Sequence, residues 1–224
     1  MFFNDLELIN EQFNCDFARP DQMDALWEQG WRHFGNHFFR YNLGFHNDEI
    51  QCVLPLRIRL AHFTFSKSQR RNLRRNTSLR TKIGPLNLTP EAERLFVRHK
   101  IRFREGVPES LSNFVPRRAA DSPADTMQLS VFDGERLVAE SYFDAGATAL
   151  SGIYAMFDPE MAKYGLGVFT LLKEIEFAID AKKELYYLGY AYEGASFYDY
   201  KKRFRATEAF DWADTWYPVA ANTA

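Results

Sequence analysis

A chain of 224 residues, of which 46% are hydrophobic and 16% aromatic, has enough apolar side chains to bury a full core, which excludes a disordered protein. Its formal net charge of -2 hides an asymmetry: the window between Ile50 and Pro90 has nine lysines and arginines and no aspartate or glutamate. No stretch approaches the roughly 20 apolar residues of a membrane span, and the first residues lack a secretory signal, so we expect a soluble cytoplasmic protein without membrane contact. Cys15 and Cys52 form no CxxC pair, and we expect neither a metal site nor a cofactor.

The first 115 residues are predicted to form an N-terminal α/β subdomain. Arg19-Pro20-Asp21 predicts a helix that runs to about residue 30, with Asp21 as its cap. Strands are predicted over 38–41 and 50–60, the second one broken at Pro55. Thr89 and the Pro-Glu that follows it predict the start of another helix.

The segment 66–76, Ser-Lys-Ser-Gln-Arg-Arg-Asn-Leu-Arg-Arg-Asn, concentrates the positive charge. If Ser66 caps a helix, its basic residues share one face, because their spacing is i, i+3, i+4, i+7 and i+8: Lys67, Arg70, Arg71, Arg74 and Arg75. Like charges at this spacing repel, so the pattern favours a polyanion along the helix, and a phosphate backbone fits best. A solvated surface helix is the alternative.

A polar segment, 116–125, is predicted to be a loop or hinge before a C-terminal domain over 126–224. Strands are predicted over 127–132, 137–143 and 150–157, followed by a glycine turn, an amphipathic helix to about residue 182 and a strand over 185–190. The helix is predicted to bury Leu171, Leu172, Ile175 and Ile179 and to expose Lys173, Glu174, Glu176 and Asp180. This order is that of an acyltransferase of the acetyl-CoA-dependent (GNAT) type, so the predicted fold class is α+β, with a mixed sheet and helices.

The glycine turn of such a fold brings backbone N–H groups to the start of a helix, where they can cradle an anion. Gly165 and Gly167 are therefore candidate substrate-binding residues. A coenzyme A site usually has Gln or Arg three residues before the first glycine, and this chain has Ala162, which weakens that interpretation. A purely structural turn would use the same glycines.

Tyrosines are concentrated after the predicted helix, in 186–193 and 196–204. Alternation along a strand sends about half of them into the core. The rest are candidates to hydrogen-bond a reacting ester or to stack on the bases of a single-stranded RNA end. Ser196, Tyr200 and Lys201 are the candidate substrate contacts of the second segment.

Short pieces that occur in the order seen in one family cover most of the chain from about residue 20 to 212. They are Gly30-Trp-Arg-His-Phe-Gly35, Cys52-Val-Leu-Pro-Leu-Arg57, the basic segment with Phe65 before it, Ser141-Tyr-Phe143, Phe157-Asp-Pro159, Leu166-Gly167 with Leu172-Lys-Glu-Ile175, and Tyr187-Leu-Gly-Tyr190. Together they resemble the aminoacyl-tRNA–protein transferases, which add leucine or arginine to protein N-termini, and above all the bacterial leucyltransferase branch that acts on N-terminal Asp or Glu. The resemblance implies an acyltransferase-like domain, leucyl- or arginyl-tRNA as donor, acceptor proteins with acidic N-termini, and a role in the N-degron pathway. We expect a monomer.

Two positions depart from the family pattern. Family members often carry a cysteine cluster before the Val-Pro-Leu-Arg-like stretch, of which this chain retains only Cys52. They also tend to show Lys-Met and then Tyr-Lys after the tyrosine strand, where this chain has Phe197-Tyr-Asp-Tyr-Lys201. A coenzyme A-dependent N-acyltransferase and a non-catalytic RNA-binding relative are therefore kept as alternatives.

An aminoacyl ester is already activated, so the predicted enzyme mainly has to hold the attacking α-amine against the ester carbonyl and remove its proton. Asp158 is the first candidate for the base, with a cap or turn role before Pro159 as its alternative. Tyr154 and Tyr190 are candidates for a proton relay. The remaining substrate contacts that the resemblance implies are Ser66, Lys67, Gln69, Arg70, Arg71, Arg74 and Arg75 for tRNA, Tyr142, and Arg57, which would pair with an acidic acceptor residue.

Overall fold

The computed structural model describes residues 7–46, 49–103 and 107–219. Residues 1–6, on which the expectation of no secretory signal rests, lie outside them. In chain order the strands are β1 (Asn10–Asn14), β2 (Arg32–Phe34), β3 (His37–Tyr41), β4 (Leu43–His46), β5 (Glu49–Arg59), β6 (Arg80–Pro85), β7 (Asp125–Asp133), β8 (Arg136–Ala145), β9 (Ala149–Phe157), β10 (Leu185–Tyr192), β11 (Thr207–Phe210) and β12 (Trp216–Pro218). The helices are α1 (Pro20–Glu28), α2 (Lys67–Arg75), α3 (Pro90–Lys100), α4 (Leu166–Asp180) and α5 (Asp199–Lys202).

One large sheet organises the chain. Its strand order is β12-β11-β5-β10-β9-β8-β7-β6, with β4 paired to β5, and a small sheet β1-β3-β2 lies beside it. The predicted order of strand, strand, strand, glycine turn, helix and strand is confirmed as β7, β8, β9, α4 and β10. Strands from both predicted domains, 1–115 and 126–224, pair within this sheet, because β5 lies between β10 and β11 and β6 pairs with β7.

The two faces of the sheet are covered by different helices. Leu172 and Ile175 of α4 are buried in the same cluster as Phe143 of β8. The neighbouring residue, Tyr142, is buried in the cluster of α3, and Trp27 of α1 packs near Tyr187. Because successive side chains of a strand point to opposite faces, α4 covers one face and α3 the other.

The helix starts follow local capping chemistry. The Ser66 hydroxyl accepts from the Gln69 amide at 3.2 Å, and the Gln69 side chain accepts from the Ser66 amide at 2.8 Å, so the predicted cap of α2 is confirmed as a capping box. The predicted cap of α1 is wrong by two residues. Arg19 is the cap, and Asp21 lies in the first turn, where it forms an ion pair with Arg19 at 3.1 Å.

Strand β5 runs through Pro55 without a break, contrary to the sequence prediction. Pro55 lies opposite Tyr190, next to the irregularity between Tyr187 and Gly189 in β10. A proline is tolerated beside such a bulge because the regular ladder of hydrogen bonds is already interrupted there.

A buried carboxylate on the α3 face makes the stability of the fold depend on pH. Glu140 is 2% exposed and accepts hydrogen bonds from the Tyr142 hydroxyl at 2.9 Å and the Ser130 hydroxyl at 3.4 Å. Burial raises the pKa of Glu140 from 4.5 to about 7, so the folded protein holds this proton more tightly than the unfolded chain. The stabilising contribution is therefore complete below about pH 4.5 and is lost as the pH rises to about 7.

We expect Glu140→Gln to become more stable relative to the wild type as the pH rises through this window, by on the order of 3 kcal/mol, because glutamine stays neutral. Urea unfolding at pH 4.5, 6 and 8 measures the difference. The control is Glu135→Gln, at a fully exposed side chain, for which the difference should not change with pH. A difference for Glu140→Gln that is equally flat would show that folding does not raise the pKa of Glu140.

Candidate active site

Strands β9 and β10 separate part of the way along their length. They run parallel and pair only from Ala149 with Leu185 to Ser151 with Tyr187. Beyond this point an irregularity in register shifts β9 against β8 near Gly152, and another shifts β10 against β5 before Gly189. Because such irregularities bend strands, the two strands diverge and leave a gap, which is the centre of the candidate site.

A buried carboxylate lies beside the gap on the α4 face. Glu174 of α4 is 3% exposed and accepts hydrogen bonds from the hydroxyls of Ser141 and Tyr186. A methyl group at the Cβ position of Gly152 would lie 2.7 Å from the Tyr186 hydroxyl and 3.6 Å from Oε2 of Glu174, so the backbone of β9 passes close to both. Burial raises the pKa of Glu174 to about 7, although the two hydrogen bonds lower it in part.

Arg32 of β2 reaches the gap from the opposite face of the sheet. Its Nη1 atom donates to the Ser151 hydroxyl and its Nη2 atom donates to the carbonyl of Gly152. Gly152 therefore lies between the guanidinium group and the pair formed by Tyr186 and Glu174. Burial lowers the pKa of Arg32 from its ordinary value.

Lys201 of α5 closes the gap at the end of β10. Its Nζ atom donates to the carbonyl of Tyr190 at 3.0 Å. A methyl group at the Cβ position of Gly189 would lie 3.5 Å from this Nζ atom and 3.7 Å from Nη2 of Arg32, so both cations approach the same point. Burial, and then the charge of Arg32, lower the pKa of Lys201 to about 7.

Helix α2 lies beside the start of α4 and presents its basic face to solvent. All five basic side chains are exposed, as the helical spacing predicts. Arg70 donates to the carbonyl of Phe65, and Arg75 donates to the carbonyl of Lys163 at 2.8 Å. Among the residues that the structure describes, none accepts a side-chain hydrogen bond from Lys67, Arg71 or Arg74. Ser66 and Gln69, which were predicted to contact substrate, form the capping box of this helix.

The glycine turn before α4 is covered by the opposite side of α2. The Asn72 side chain donates to the carbonyls of Tyr164 and Gly165, both at 3.2 Å, and a methyl group at Gly165 would lie 2.8 Å from the Asn72 amide nitrogen. A methyl group at Gly167 would lie 3.3 Å from the ring of Phe157. The turn of these two predicted substrate contacts is therefore packed against protein side chains.

Asp158 lies outside the gap and is held by two arginines. It is fully buried, with Arg136 at 2.5 Å and Arg98 at 3.1 Å, and its Oδ1 atom accepts from the Glu160 amide. Burial alone would raise the pKa of Asp158, but the hydrogen bond from Arg136 and the nearby charges lower it below the ordinary value. A paired carboxylate of low pKa is a poor proton acceptor, so this geometry supports the cap role and not the predicted role of base.

The predicted relay tyrosines also have other partners. Tyr190 donates its hydroxyl to the carbonyl of Gly30 at 2.7 Å. Tyr154 stacks on Phe114 with ring centroids 4.0 Å apart, and its hydroxyl is buried without a hydrogen-bond partner among the residues described. Tyr142 is fully buried on the α3 face, where it donates to Glu140 as described above. These contacts do not place the hydroxyls of Tyr142 or Tyr154 in the gap.

Arg57, which was predicted to pair with an acceptor, forms ion pairs inside the protein. Its guanidinium group forms ion pairs with Glu28 and with Glu208, the latter at 2.7 Å, and lies 4.1 Å from the ring centroid of Trp216. It is only 4% exposed, so an incoming carboxylate would have to displace one of these partners.

The remaining candidates of the tyrosine-rich segments lie at the start of α5. Ser196 stabilises the turn that precedes this helix, because its amide and its hydroxyl both donate hydrogen bonds to the carboxylate of Asp199. Tyr200 packs against the core on the α4 face. Of the three candidates in this segment, Lys201 is the one that the structure brings to the gap.

Sequence reasoning missed Arg32, Ser141, Ser151, Glu174 and Tyr186. The prediction that Glu174 is exposed is wrong: Thr170 and Ala178, four residues to either side, are buried, and Glu174 shares their side of α4. A carboxylate on the buried side of a helix indicates a candidate functional residue, and this signal can be read from the sequence. No local pattern indicates that Arg32, at the start of β2, reaches β9.

Another cavity lies apart from the gap. A cavity of about 530 Å³ opens where β5 ends and β10 begins, lined by Arg59, His62, Lys182 and Lys183 among others, and none of the residues around Gly152 lines it. Within the described ranges, no group of three or more His, Cys, Asp or Glu side chains is placed to hold a metal ion. None of the helices in the described part of the chain combines the length and the apolar character needed to cross a membrane.

Comparison with known proteins identifies the family. A family model described as "Arginine-tRNA-protein transferase, C terminus" matches residues 91–211. A Marinobacter nauticus protein named aspartate/glutamate leucyltransferase is 32% identical over 207 residues, which cover 90% of this chain and 83% of that protein. A Pseudomonas fluorescens protein of the same name is 30% identical over 210 residues, which cover 90% of this chain and 87% of that protein.

A solved structure supports the fold. The C-terminal DUF2156 domain of an Agrobacterium fabrum protein aligns with a TM-score of 0.51 and 13% identity over 83% of this chain and 55% of that one. This likeness concerns the fold alone, and the mixed sheet with helices agrees with the predicted α+β class. Because the family model covers more than half of its length and the relatives match nearly all of it, the chain belongs to the family of aminoacyl-tRNA–protein transferases.

Proposed function

We propose that the protein transfers leucine, or alternatively arginine, from charged tRNA to the α-amine of an acceptor protein that begins with Asp or Glu, in an N-degron pathway. The relatives named aspartate/glutamate leucyltransferase favour leucine as the donor amino acid. One observation carries the proposal: a buried carboxylate of pKa about 7 and two cations meet at the gap between β9 and β10, beside an exposed basic helix. A monomer in the cytoplasm stays our expectation.

The chemistry requires a proton acceptor and no nucleophilic side chain. The α-amine attacks the ester carbonyl, the new C–N bond forms, and the bond from the carbonyl carbon to the ribose oxygen breaks. The amine gives up a proton, and the leaving ribose oxygen takes one up. Since a free α-amine has a pKa of about 8, a carboxylate of pKa about 7 is well matched to accept the proton at neutral pH.

We assign this role to Glu174, acting through the hydroxyl of Tyr186. Tyr186 donates to Glu174 and lies next to the backbone of Gly152, at the edge of the gap. When Tyr186 accepts a proton from the amine, its own hydroxyl proton moves to Glu174 along this hydrogen bond. The second hydrogen bond, from Ser141, holds the carboxylate in place.

The donor tRNA is assigned to the basic face of α2. Asn72 and Asn76 donate to the carbonyl of Tyr164, directly before the glycine turn that joins β9 to α4, at 3.2 and 3.0 Å respectively. Phosphates bound by Lys67, Arg71 and Arg74 would therefore lie near the gap, and the single-stranded 3′ end could enter it.

The coenzyme A alternative has no supporting observation. The glycine turn, which would have to receive the pyrophosphate, is covered by Asn72, and Ala162 replaces the usual Gln or Arg. We expect calorimetry with millimolar coenzyme A to show no binding.

Transfer of labelled leucine, and separately of labelled arginine, from charged tRNA to reporter proteins beginning with Asp, Glu, Arg or Lys tests the function. We expect leucine on the Asp and Glu reporters only, and loss of the label when the tRNA is first treated with ribonuclease. Label transferred from arginyl-tRNA instead would show that arginine is the donated amino acid. No label on any reporter would contradict the proposal and favour a non-catalytic RNA-binding protein.

A further inference from the structure

Arg32 and Lys201 are two cations without a carboxylate partner among the residues that the structure describes. Arg32 donates to a hydroxyl and a carbonyl, and Lys201 donates to a carbonyl. The charge of Asp144 reaches Arg32, but Asp144 itself is held by His33 at 2.7 Å and Thr126 at 2.5 Å. Two neighbouring positive charges that lack a counter-ion make this place favourable for an anion.

The backbone of Gly189 lies beside both cations. Its φ of +81° lies in the left-handed region, which favours glycine, and a side chain here would approach both cations. Arg32 and Lys201 each keep part of their surface exposed. The lowered pKa of Lys201 agrees with a site that is completed when a negative charge arrives.

The position of the two cations relative to Glu174 decides which anion fits. Arg32 donates to the carbonyl of Gly152, and the Tyr186 hydroxyl lies near the Cα atom of the same residue. A ligand that fills the gap can therefore contact both side chains. An N-terminal Asp or Glu carries an α-amine and a carboxylate only a few bonds apart. Its amine can lie near Tyr186 while its side-chain carboxylate lies between the two cations.

We propose that Arg32 and Lys201 form the pocket for the side-chain carboxylate of the acceptor's first residue, which selects Asp and Glu over their amides; this proposal rests on the proposed function. Arg57, which the sequence favoured for this task, already has two carboxylate partners. A guanidinium group and an ammonium group provide the charge-assisted hydrogen bonds that a carboxylate requires.

Binding of fluorescent peptides, measured by anisotropy in the absence of tRNA, tests the pocket directly. The two peptides differ only in their first residue, Asp or Asn. We expect the wild type to bind the Asp peptide about tenfold to a hundredfold more tightly, because an amide cannot replace the hydrogen-bonded charge. Lys201→Met and Arg32→Gln should each reduce this preference about tenfold or more, while Arg32→Lys should retain part of it.

The matched control is Lys202→Met. Lys202 follows Lys201 directly but pairs with Asp199 at 2.9 Å and contacts the carbonyls of Glu193 and Gly194. It should keep the preference of the wild type. Melting temperatures identify a variant that fails to fold, and because Lys201→Met leaves the contacts of Arg32 with β9 intact, it provides the second test if Arg32→Gln unfolds.

Transfer assays separate this proposal from the proposed function. A wild type that prefers the Asp peptide but transfers no amino acid would support the pocket and contradict the transferase. An active wild type without preference for the Asp peptide would overturn the pocket. So would folded variants that slow transfer to Asp and Asn reporters equally, since the two cations would then act on the donor.

Discussion

Replacing Glu174 with glutamine is expected to lower kcat/KM for aminoacyl transfer by roughly 10²–10⁴-fold and to leave tRNA affinity unchanged, because the variant loses the group that accepts the proton of the amine. Glutamine resembles the protonated carboxyl that Glu174 already forms below about pH 7, so the fold should tolerate the change. The measurement is the rate of leucine transfer to an Asp reporter, alongside tRNA binding.

The control variant for this experiment is Glu140→Gln. Glu140 is also a buried carboxyl with a pKa raised to about 7, but it faces α3, on the opposite side of the sheet from Glu174. It should keep the wild-type rate. The two variants therefore separate loss of a buried charge from loss of the base, and equal activity of both would contradict the assignment to Glu174.

The pH dependence of the rate gives a second measure of the same assignment. A base acts when it is deprotonated, so transfer by the wild type should rise as the pH increases through about 7, the pKa of Glu174. Glu174→Gln should lack this step and keep only the rise at about pH 8 that comes from deprotonation of the α-amine itself. A step at about pH 7 that persists in the variant would contradict the assignment, because it would have to come from another group.

The second large effect is expected on tRNA binding, from the double variant Arg71→Ala and Arg74→Ala. Both side chains project from the exposed face of α2 and, within the described residues, neither donates a hydrogen bond to the protein. Their removal should weaken binding of all tRNA sequences alike by about tenfold to a hundredfold. The slope of log affinity against log salt should become shallower by about 1 for each phosphate that the variant no longer neutralises.

A double variant that removes two positive charges elsewhere controls for the overall electrostatic potential of the protein. Arg117 and Arg118 are exposed, and they pair with Glu93 and Asp121 at 3.2 and 3.0 Å. Replacing both with alanine should leave tRNA affinity nearly unchanged. If this control weakened binding as much as the α2 variant, the attraction would be non-specific, and the role of the α2 face would be refuted.

The structure also separates the site residues that the resemblance implies into two kinds. Asp158 and Arg57 belong to pieces of sequence that match the family, yet both side chains are neutralised by partners from distant parts of the chain. Arg32 lies in another matching piece, without a predicted role, and it is the one that reaches the gap. A motif therefore located the right segments without distinguishing the residues that hold the fold from those that face the substrate.

The sequence by itself determined the elements whose causes are local. The capping box of Ser66 and Gln69 and the spacing of the basic residues predict α2 and its exposed face, because both depend on residues within one or two helical turns. The same holds for the strands and the glycine turn before α4. The family followed from the order of several such segments.

Only the tertiary structure decided which charges are available for chemistry. Arg57 and Glu208 are 151 positions apart in the chain and meet because β5 pairs with β11. Arg32 and Gly152 are 120 positions apart and lie in two different sheets, so the packing of one sheet beside the other brings them together. The pKa of Glu174 rises because the packing of α4 on the sheet removes it from water. Burial and pairing act through space, and a side chain's neighbours in space are set by the fold as a whole.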